Sequence, residues 1–378
     1  MLKILHLADL HLGWEPSYLE GEKKSIRIKE RNNILTKAVD YALNYSNDIS
    51  MVIIAGDLFE DYAPDSALIK YVTGELNRLT NAGIFLVTVP GNHDEITYSD
   101  SVYRQEKDNW PGLLVTNPMP ELVTTKEIKG VNINLYSLAY TGGLTVPGRI
   151  SSFPRSNLPG LHIAAFHGSL DWEGLADRSL PVSSSLLSDA GYDYVAMGHY
   201  HNFSDKRVDG CTIIYAGSPE FKNFGDNGTG HLTVTTLREG DVIIEKKEIA
   251  VRTNQILNVD LSPYEDLDSL INACRLFADS ESMTLFRFRG NPVFPVKISE
   301  IYESLEKYFF YLEIEDESYY FSKEFLKNIS GEMTIRGSFA RRLKEREKAG
   351  MVERDKKVLK QALLLGLNAL KGSDKTDG

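Results

Sequence analysis

The chain has 378 residues, is 42% hydrophobic and 25% charged, and carries a formal net charge of −11. That length predicts about two or three domains with cores that fold without disulfides. Cys211 and Cys274 form no CxxC pair and are read as small core hydrophobes of a reducing compartment. The excess of acid argues against nucleic-acid binding by bulk charge alone. No apolar run reaches the roughly 20 residues of a membrane span, and Met1 leads so soon into a motif that no signal peptide is expected; a cytoplasmic protein is the expectation.

In chain order, short β-branched runs predict strands at Ile4–Leu7, Met51–Ala55, Ile84–Val89, Val131–Leu138, Leu161–Phe166, Tyr194–Met197, Thr212–Tyr215, His231–Thr235 and Val242–Ile244. Helical patterns lie at Arg31–Tyr45 and Ser66–Ala82. The later strands follow one another closely, as in an antiparallel sheet. Residues 1–254 are therefore expected to be an α/β domain, two sheets packed face to face with helices outside. The apolar face of Ala67–Leu79 fits either core or a dimer seam.

Residues 255–329 read as a small α+β unit. Its strands are Gln255–Leu261, Met283–Arg289 and Phe310–Ile314, with helices Glu265–Ala278 and Ile298–Tyr308. In its middle strand Phe286 and Phe288 alternate with Arg287 and Arg289, which predicts one buried face and leaves a basic, DNA-facing side as the functional alternative. Ser330-Gly331-Glu332 reads as linker. Residues 338–349 and 353–370 read as a helical pair broken at Gly350. From Arg336 to Lys371 eleven Lys/Arg stand against four Asp/Glu, a local +7. The second helix carries an apolar stripe with Val358, Leu359, Ala362, Leu363 and Leu370, too large for two helices to bury between themselves. It is read as a clamp for a partner, with docking on the chain's own body as the alternative.

Five segments carry the chemistry, each just after a predicted strand: Asp9-Leu10-His11, Gly56-Asp57, Gly91-Asn92-His93-Asp94, His167-Gly168 and Gly198-His199-Tyr200-His201. In extended chain, residues two apart face one way, so Asp9 with His11, and His199 with His201, could each reach one ion. Any one segment is weak. Together they hold five of the eight histidines. The remaining three, His6, His162 and His231, are read as core or sheet residues. Carboxylate, imidazole and amide oxygen without thiolate suit Mn²⁺, Fe or Zn²⁺. Asp9, His11, Asp57, Asn92, His167, His199 and His201 exceed the needs of one ion and fit two, about 3.5–4 Å apart.

The order Asp-x-His, Gly-Asp, Gly-Asn-His-Asp, His-Gly, Gly-His-x-His resembles that of the calcineurin-like metallophosphoesterases. The finer text, Leu7 to Gly13, Ala55 to Phe59, Phe166 to Gly168 and Gly217-Ser218-Pro219-Glu220, is similar to the SbcD-type nuclease subunits of double-strand-break repair complexes. The resemblance implies a two-sheet metallophosphoesterase sandwich, a capping domain that helps to hold DNA, and manganese-dependent cleavage of DNA ends and single strands. It further implies a homodimer and an SbcC-like ABC-type ATPase partner bound through residues 338–370. It puts Asp9, His11 and His201 on one ion and Asn92, His167 and His199 on the other, with Asp57 between. His93 is the spare imidazole that would protonate or stabilise the leaving oxygen. Where some relatives carry a second histidine after the bridging aspartate, this chain has Glu60. Glu60 and Asp94 are candidates to orient His93, or else solvated loop charges. The competing functions are a small-substrate phosphodiesterase or phosphatase on the same core, and a binding subunit with a vestigial site. The complete ligand set argues against the latter.

Overall fold

A computed structural model of the chain describes residues 1–142, 150–172, 179–226, 230–238, 240–292, 294–318 and 323–348, together with 358, 359, 362, 363, 366, 367 and 370. It divides into two compact units, Met1–Val251 and Arg252–Gly378.

The first unit contains two six-stranded sheets. In one, Leu2–Leu7, Met51–Ala55, Phe85–Val89 and Leu113–Leu114 run parallel, and the antiparallel hairpin His231–Arg238/Asp241–Glu248 adds beside Leu2–Leu7. In the other, Cys211–Tyr215, Tyr194–Gly198, Leu161–His167 and Val131–Ser137 run parallel, with antiparallel Ser204–Val208 and Glu121–Ile128 at its edges. The expectation of an antiparallel end thus holds for the last hairpin but not for Tyr194–Gly198 and Cys211–Tyr215. Between those two parallel strands the chain returns along Ser204–Val208, a polar edge strand whose exposed residues carry no hydrophobic signal.

Side-chain alternation sorts the second sheet's residues. Ile163, Ala165, Tyr194, Ala196 and Ile214 pack into the core shared with the first sheet. Ala164, Phe166, Val195, Met197 and Tyr215 enter a second apolar layer with Leu187 and Tyr192. With both faces covered, these strands read as unbroken apolar runs. Cys211 and Cys274 are buried free thiols, and His6, His162 and His231 are buried in strands.

The helix expected from Arg31 begins at Gly21 and ends at Leu43. Its first turns, Gly21 to Glu30, hold only Ile26 and Ile28 among polar residues, two apart rather than at helical spacing, so hydrophobic periodicity does not reveal them. Leu68, Val72, Leu76 and Leu79 of helix Ser66–Asn81 all enter the core.

In the second unit the strands Asn254–Asp260, Asp279–Arg289 and Phe309–Asp316 lie parallel in that order. Helices Leu267–Arg275 and Ile298–Leu305 connect them. Phe286 and Phe288 join the core with Leu270 and Ile301. Arg287 pairs with Glu315 at 2.7 Å and Arg289 with Glu317 at 2.9 Å, so this side of the strand is charge-compensated rather than simply basic. Ser330 and Gly331, expected as linker, close a helix Lys323–Gly331, and the next helix is Ile335–Lys348. Leu326, Ile329, Phe339 and Ala340 cluster with Leu363 and Leu367. A third helix therefore takes up part of the stripe that two could not bury, while Val358 stays 61% exposed. Most of 349–378 lies outside the described residues. No described helix is long and apolar enough to cross a membrane.

Candidate metal centre

Parallel strands of both sheets end on the same rim. Asp9 N donates to Gly56 O (3.1 Å), His11 N to Asp57 O (2.9 Å) and Gly168 N to Gly198 O (3.1 Å), which ties neighbouring loops together. Two glycines permit the crowding: a Cβ on Gly56 would strike the His167 ring, and one on Gly91 would strike the Asp57 carboxylate.

Asp9, His11, Asp57 and His199 all adopt positive φ, at 55°, 49°, 51° and 106°. The segments at Asp9–His11 and His199–His201 are thus not the extended chain expected from their spacing. The convergence is real but is produced by left-handed turns. Such conformations cost about 1–3 kcal/mol each and persist only where the surroundings over-determine them.

All seven expected ligand side chains, and His93, gather at this rim. Donor atoms of Asp9, His11 and His201 lie within 4.8 Å of one another, as do those of Asp9, Asp57 and His167 and those of His11, Asp57 and His93. Asn92 Oδ1 lies 2.9 Å from both His167 Nε2 and His199 Nδ1. Asp57 Oδ2 is 3.3 Å from His167 Nε2 and 3.8 Å from His11 Nε2, between the two sets.

The outward nitrogens of three rings are engaged. His167 Nδ1 meets Ala55 O at 2.9 Å, His11 Nδ1 meets Glu60 Oε2 at 2.8 Å, and His201 Nδ1 meets Asp226 Oδ1 at 3.2 Å. With Nδ1–H donating, each Nε2 faces inward and offers its lone pair once it carries no proton, the arrangement by which metal-binding histidines are oriented. This donor set fits divalent cations.

Charge behaves accordingly. Burial pushes the Asp9 carboxyl up. Burial also works against charge on Asp57 and His167, but their mutual attraction prevails: Asp57 is held well below the usual range and His167 is raised to about 9. Burial lowers His11 to about 3 and His199 to about 4. In the metal-free chain, protons and the Asp57–His167 pair thus offset the buried carboxylates, a role that bound cations would take over.

Neither Glu60 nor Asp94 is a solvated loop charge. Asp94 is fully buried and accepts from Leu58 N, Phe59 N, Gly91 N and the Tyr103 hydroxyl, fastening two ligand loops rather than the His93 ring. Burial, then the Asp57 charge, raise it to about 6. Glu60 reaches His93 through its backbone, its carbonyl 3.1 Å from His93 Nδ1, while its carboxylate meets His11 and, at 2.6 Å, Lys222 Nζ. His93 is exposed at the rim, and its backbone N–H donates to Asp57 Oδ1. Asp226 and Lys222 escaped sequence reasoning because nothing local marks them; only the fold brings residues 222–226 to His201.

Residues 2–203, more than half of the chain, match the family profile for calcineurin-like phosphoesterases. The chain belongs to that family. It is 23% identical to an uncharacterized metallophosphoesterase, YhaO of Bacillus subtilis, over 77% of this chain and 70% of the relative. It is 25% identical to the DNA double-strand break repair protein Mre11 of Methanopyrus kandleri, over 58% of this chain and 49% of that protein. The Mre11 of Sulfolobus acidocaldarius is also 25% identical, over 58% and 55%. The chain spans about half the length of these two Mre11 relatives.

Proposed function

We propose that this calcineurin-like phosphoesterase is a DNA nuclease of the SbcD and Mre11 type, hydrolysing phosphodiester bonds with two divalent cations, Mn²⁺ foremost. The observation that carries the reading is the rim of inward-facing donors with an exposed imidazole, His93, beside it. Asp9, His11 and His201 would hold one ion, and Asn92, His167 and His199 the other, with Asp57 shared. When bound, such a pair supplies Lewis-acid stabilisation of the phosphoryl oxygens and a water nucleophile at neutral pH. His93, its Nδ1 engaged by the Glu60 carbonyl, keeps Nε2 to donate a proton to the leaving oxygen.

Similarity to Mre11 proteins supports DNA as substrate. Residues 255–329 would cap the site and help hold DNA. The basic C-terminal helices, with Val358 exposed, would bind an ABC-type ATPase subunit, and the chain would work as a cytoplasmic homodimer. The second reading is a small-substrate phosphodiesterase or phosphatase, left open by the match along 77% of the chain to a relative named only as an uncharacterized metallophosphoesterase. End-labelled duplex and single-stranded DNA, assayed with Mn²⁺ beside a chromogenic phosphodiester, separate the two. Cleavage of the small ester with DNA untouched would sink the nuclease.

A further inference from the structure

Neither the Gly217–Glu220 motif nor the helix Gly21–Leu43 holds any of the seven proposed ligands. Yet they meet beneath the centre in a cluster of charged side chains closed to solvent. Arg27, Arg31 and Glu220 are each 0% exposed. Arg27 and Arg31, four apart, share one helix face. Arg27 Nη2 donates to Glu220 Oε1 at 2.9 Å and to Phe221 O at 2.8 Å. Arg31 forks between Leu10 O and Glu220 O, both at 2.7 Å. The guanidinium of Arg31 lies 5.0 Å from the Trp14 ring, and that of Arg27 lies 4.7 Å from the Phe221 ring.

The cluster touches one half of the centre. Leu10 sits between Asp9 and His11, the two left-handed residues. The Ser218 hydroxyl is 2.8 Å from Asp9 O and 2.6 Å from Glu220 O, and Ser218 N donates to His201 O at 2.7 Å. Asp226 joins the same segment to the His201 ring, its other oxygen accepting from Lys222 N. These bonds reach Asp9, His11 and His201; none reaches Asn92, His167 or His199.

We propose that Arg31, with Arg27 and Glu220 behind it, is a positioning residue for the Asp9–His11–His201 cation site. Two guanidiniums meet two carboxylates here, Glu220 at 2.9 Å and Glu30 at 3.4 Å from Arg27, so the cluster brings no net charge of its own to a site for cations. Its contribution is geometric rather than Coulombic. The Arg31 fork holds the carbonyl between two strained residues at a fixed distance from the Ser218–Asp226 segment. A guanidinium does this with two parallel donors; an ammonium cannot. The proposal rests on the metal reading above.

The test is Mn²⁺ titration of the full chain, followed by electron paramagnetic resonance. Wild type should take up two ions showing exchange coupling. Arg31→Lys, which keeps the buried charge but loses the fork, should bind one ion of this pair about 10–100-fold more weakly, the effect of losing a partner behind a metal ligand. The other ion should keep its affinity and lose its coupling. Ser218→Ala deletes one hydroxyl at little change in volume and should shift the same ion in the same direction, so it decides the matter if Arg31→Lys does not fold. Wild-type affinities for both ions in the folded variants would overturn the proposal and leave the cluster as a fold-stabilising ion network. A wild type without two coupled ions would overturn the metal reading itself, and this proposal with it.

Discussion

His11 Nε2 stands 3.1 Å from His201 Nε2, two ring nitrogens from loops 190 residues apart. Each ring gives its other nitrogen to a carboxylate, so two lone pairs face each other across this gap. That is stable when a cation lies between or beside them. Divalent metal should therefore stabilise the fold measurably. At 100 times its dissociation constant one site contributes about 2.7 kcal/mol. The melting temperature should rise with Mn²⁺ and return with chelator; a transition indifferent to both would contradict the centre.

Asp57 lies between the two donor sets, so Asp57→Ala should lose ion binding at both and abolish cleavage. Metal content after desalting decides it. About two ions per chain in the variant would show that Asp57 is not shared.

His93 faces the rim without belonging to either proposed ligand set. His93→Leu should retain the metals and lose on the order of 10²–10⁴-fold in rate, the contribution of a general acid. Cleavage within a few-fold of wild type would remove His93 from the mechanism.

The pH dependence of metal uptake follows from His167. Though burial opposes its charge, Asp57 and Asp9 raise it to about 9, so at neutral pH its ring is protonated in the metal-free chain. A metal must displace that proton, and affinity should fall by about tenfold per pH unit below about 9. Calorimetry in buffers of different ionisation enthalpy should record proton release on Mn²⁺ binding at pH 7. Heats independent of buffer would contradict it.

His6 offers a separate prediction about stability. Burial in its strand lowers it to about 3, with Nδ1 2.8 Å from the Tyr194 hydroxyl. Unfolding restores the ordinary value of about 6.5, so the unfolded chain binds the proton first as pH falls. Stability is fully present above about pH 6.5 and drains by up to about 1.4 kcal/mol per unit down to about 3. Urea midpoints from pH 7.5 to 4 should fall more steeply for wild type than for His6→Asn. Parallel slopes would show that His6 titrates normally.

The C-terminal helices separate two effects that Leu363→Asp would confuse. Leu363 packs with Leu326, Ile329 and Phe339, so charging it should unfold the helical cluster itself. Val358 is exposed. Val358→Asp should leave the cluster intact and weaken co-elution with an ATPase subunit on size exclusion. Undiminished co-elution would move the partner elsewhere.

Which side chains gather at the centre was legible in the amino-acid order, because Asp, His and Asn recur at the ends of apolar strand runs with glycine beside them to yield space. The short unbroken apolar runs likewise announced the central strands of both sheets. Three things were not legible. Asp9 and His11 meet through left-handed turns, which spacing rules do not anticipate because the strain is offset by bonds to distant residues. The polar edge strands Glu121–Ile128 and Ser204–Val208 bury too little to leave a pattern. Nothing in the local sequence marks the charges of Arg27, Arg31, Glu220 and Asp226 as interior. Only tertiary structure decides that they are interior, since a buried charge is tolerable just where the fold delivers its partner, and those partners lie up to 194 residues away in sequence.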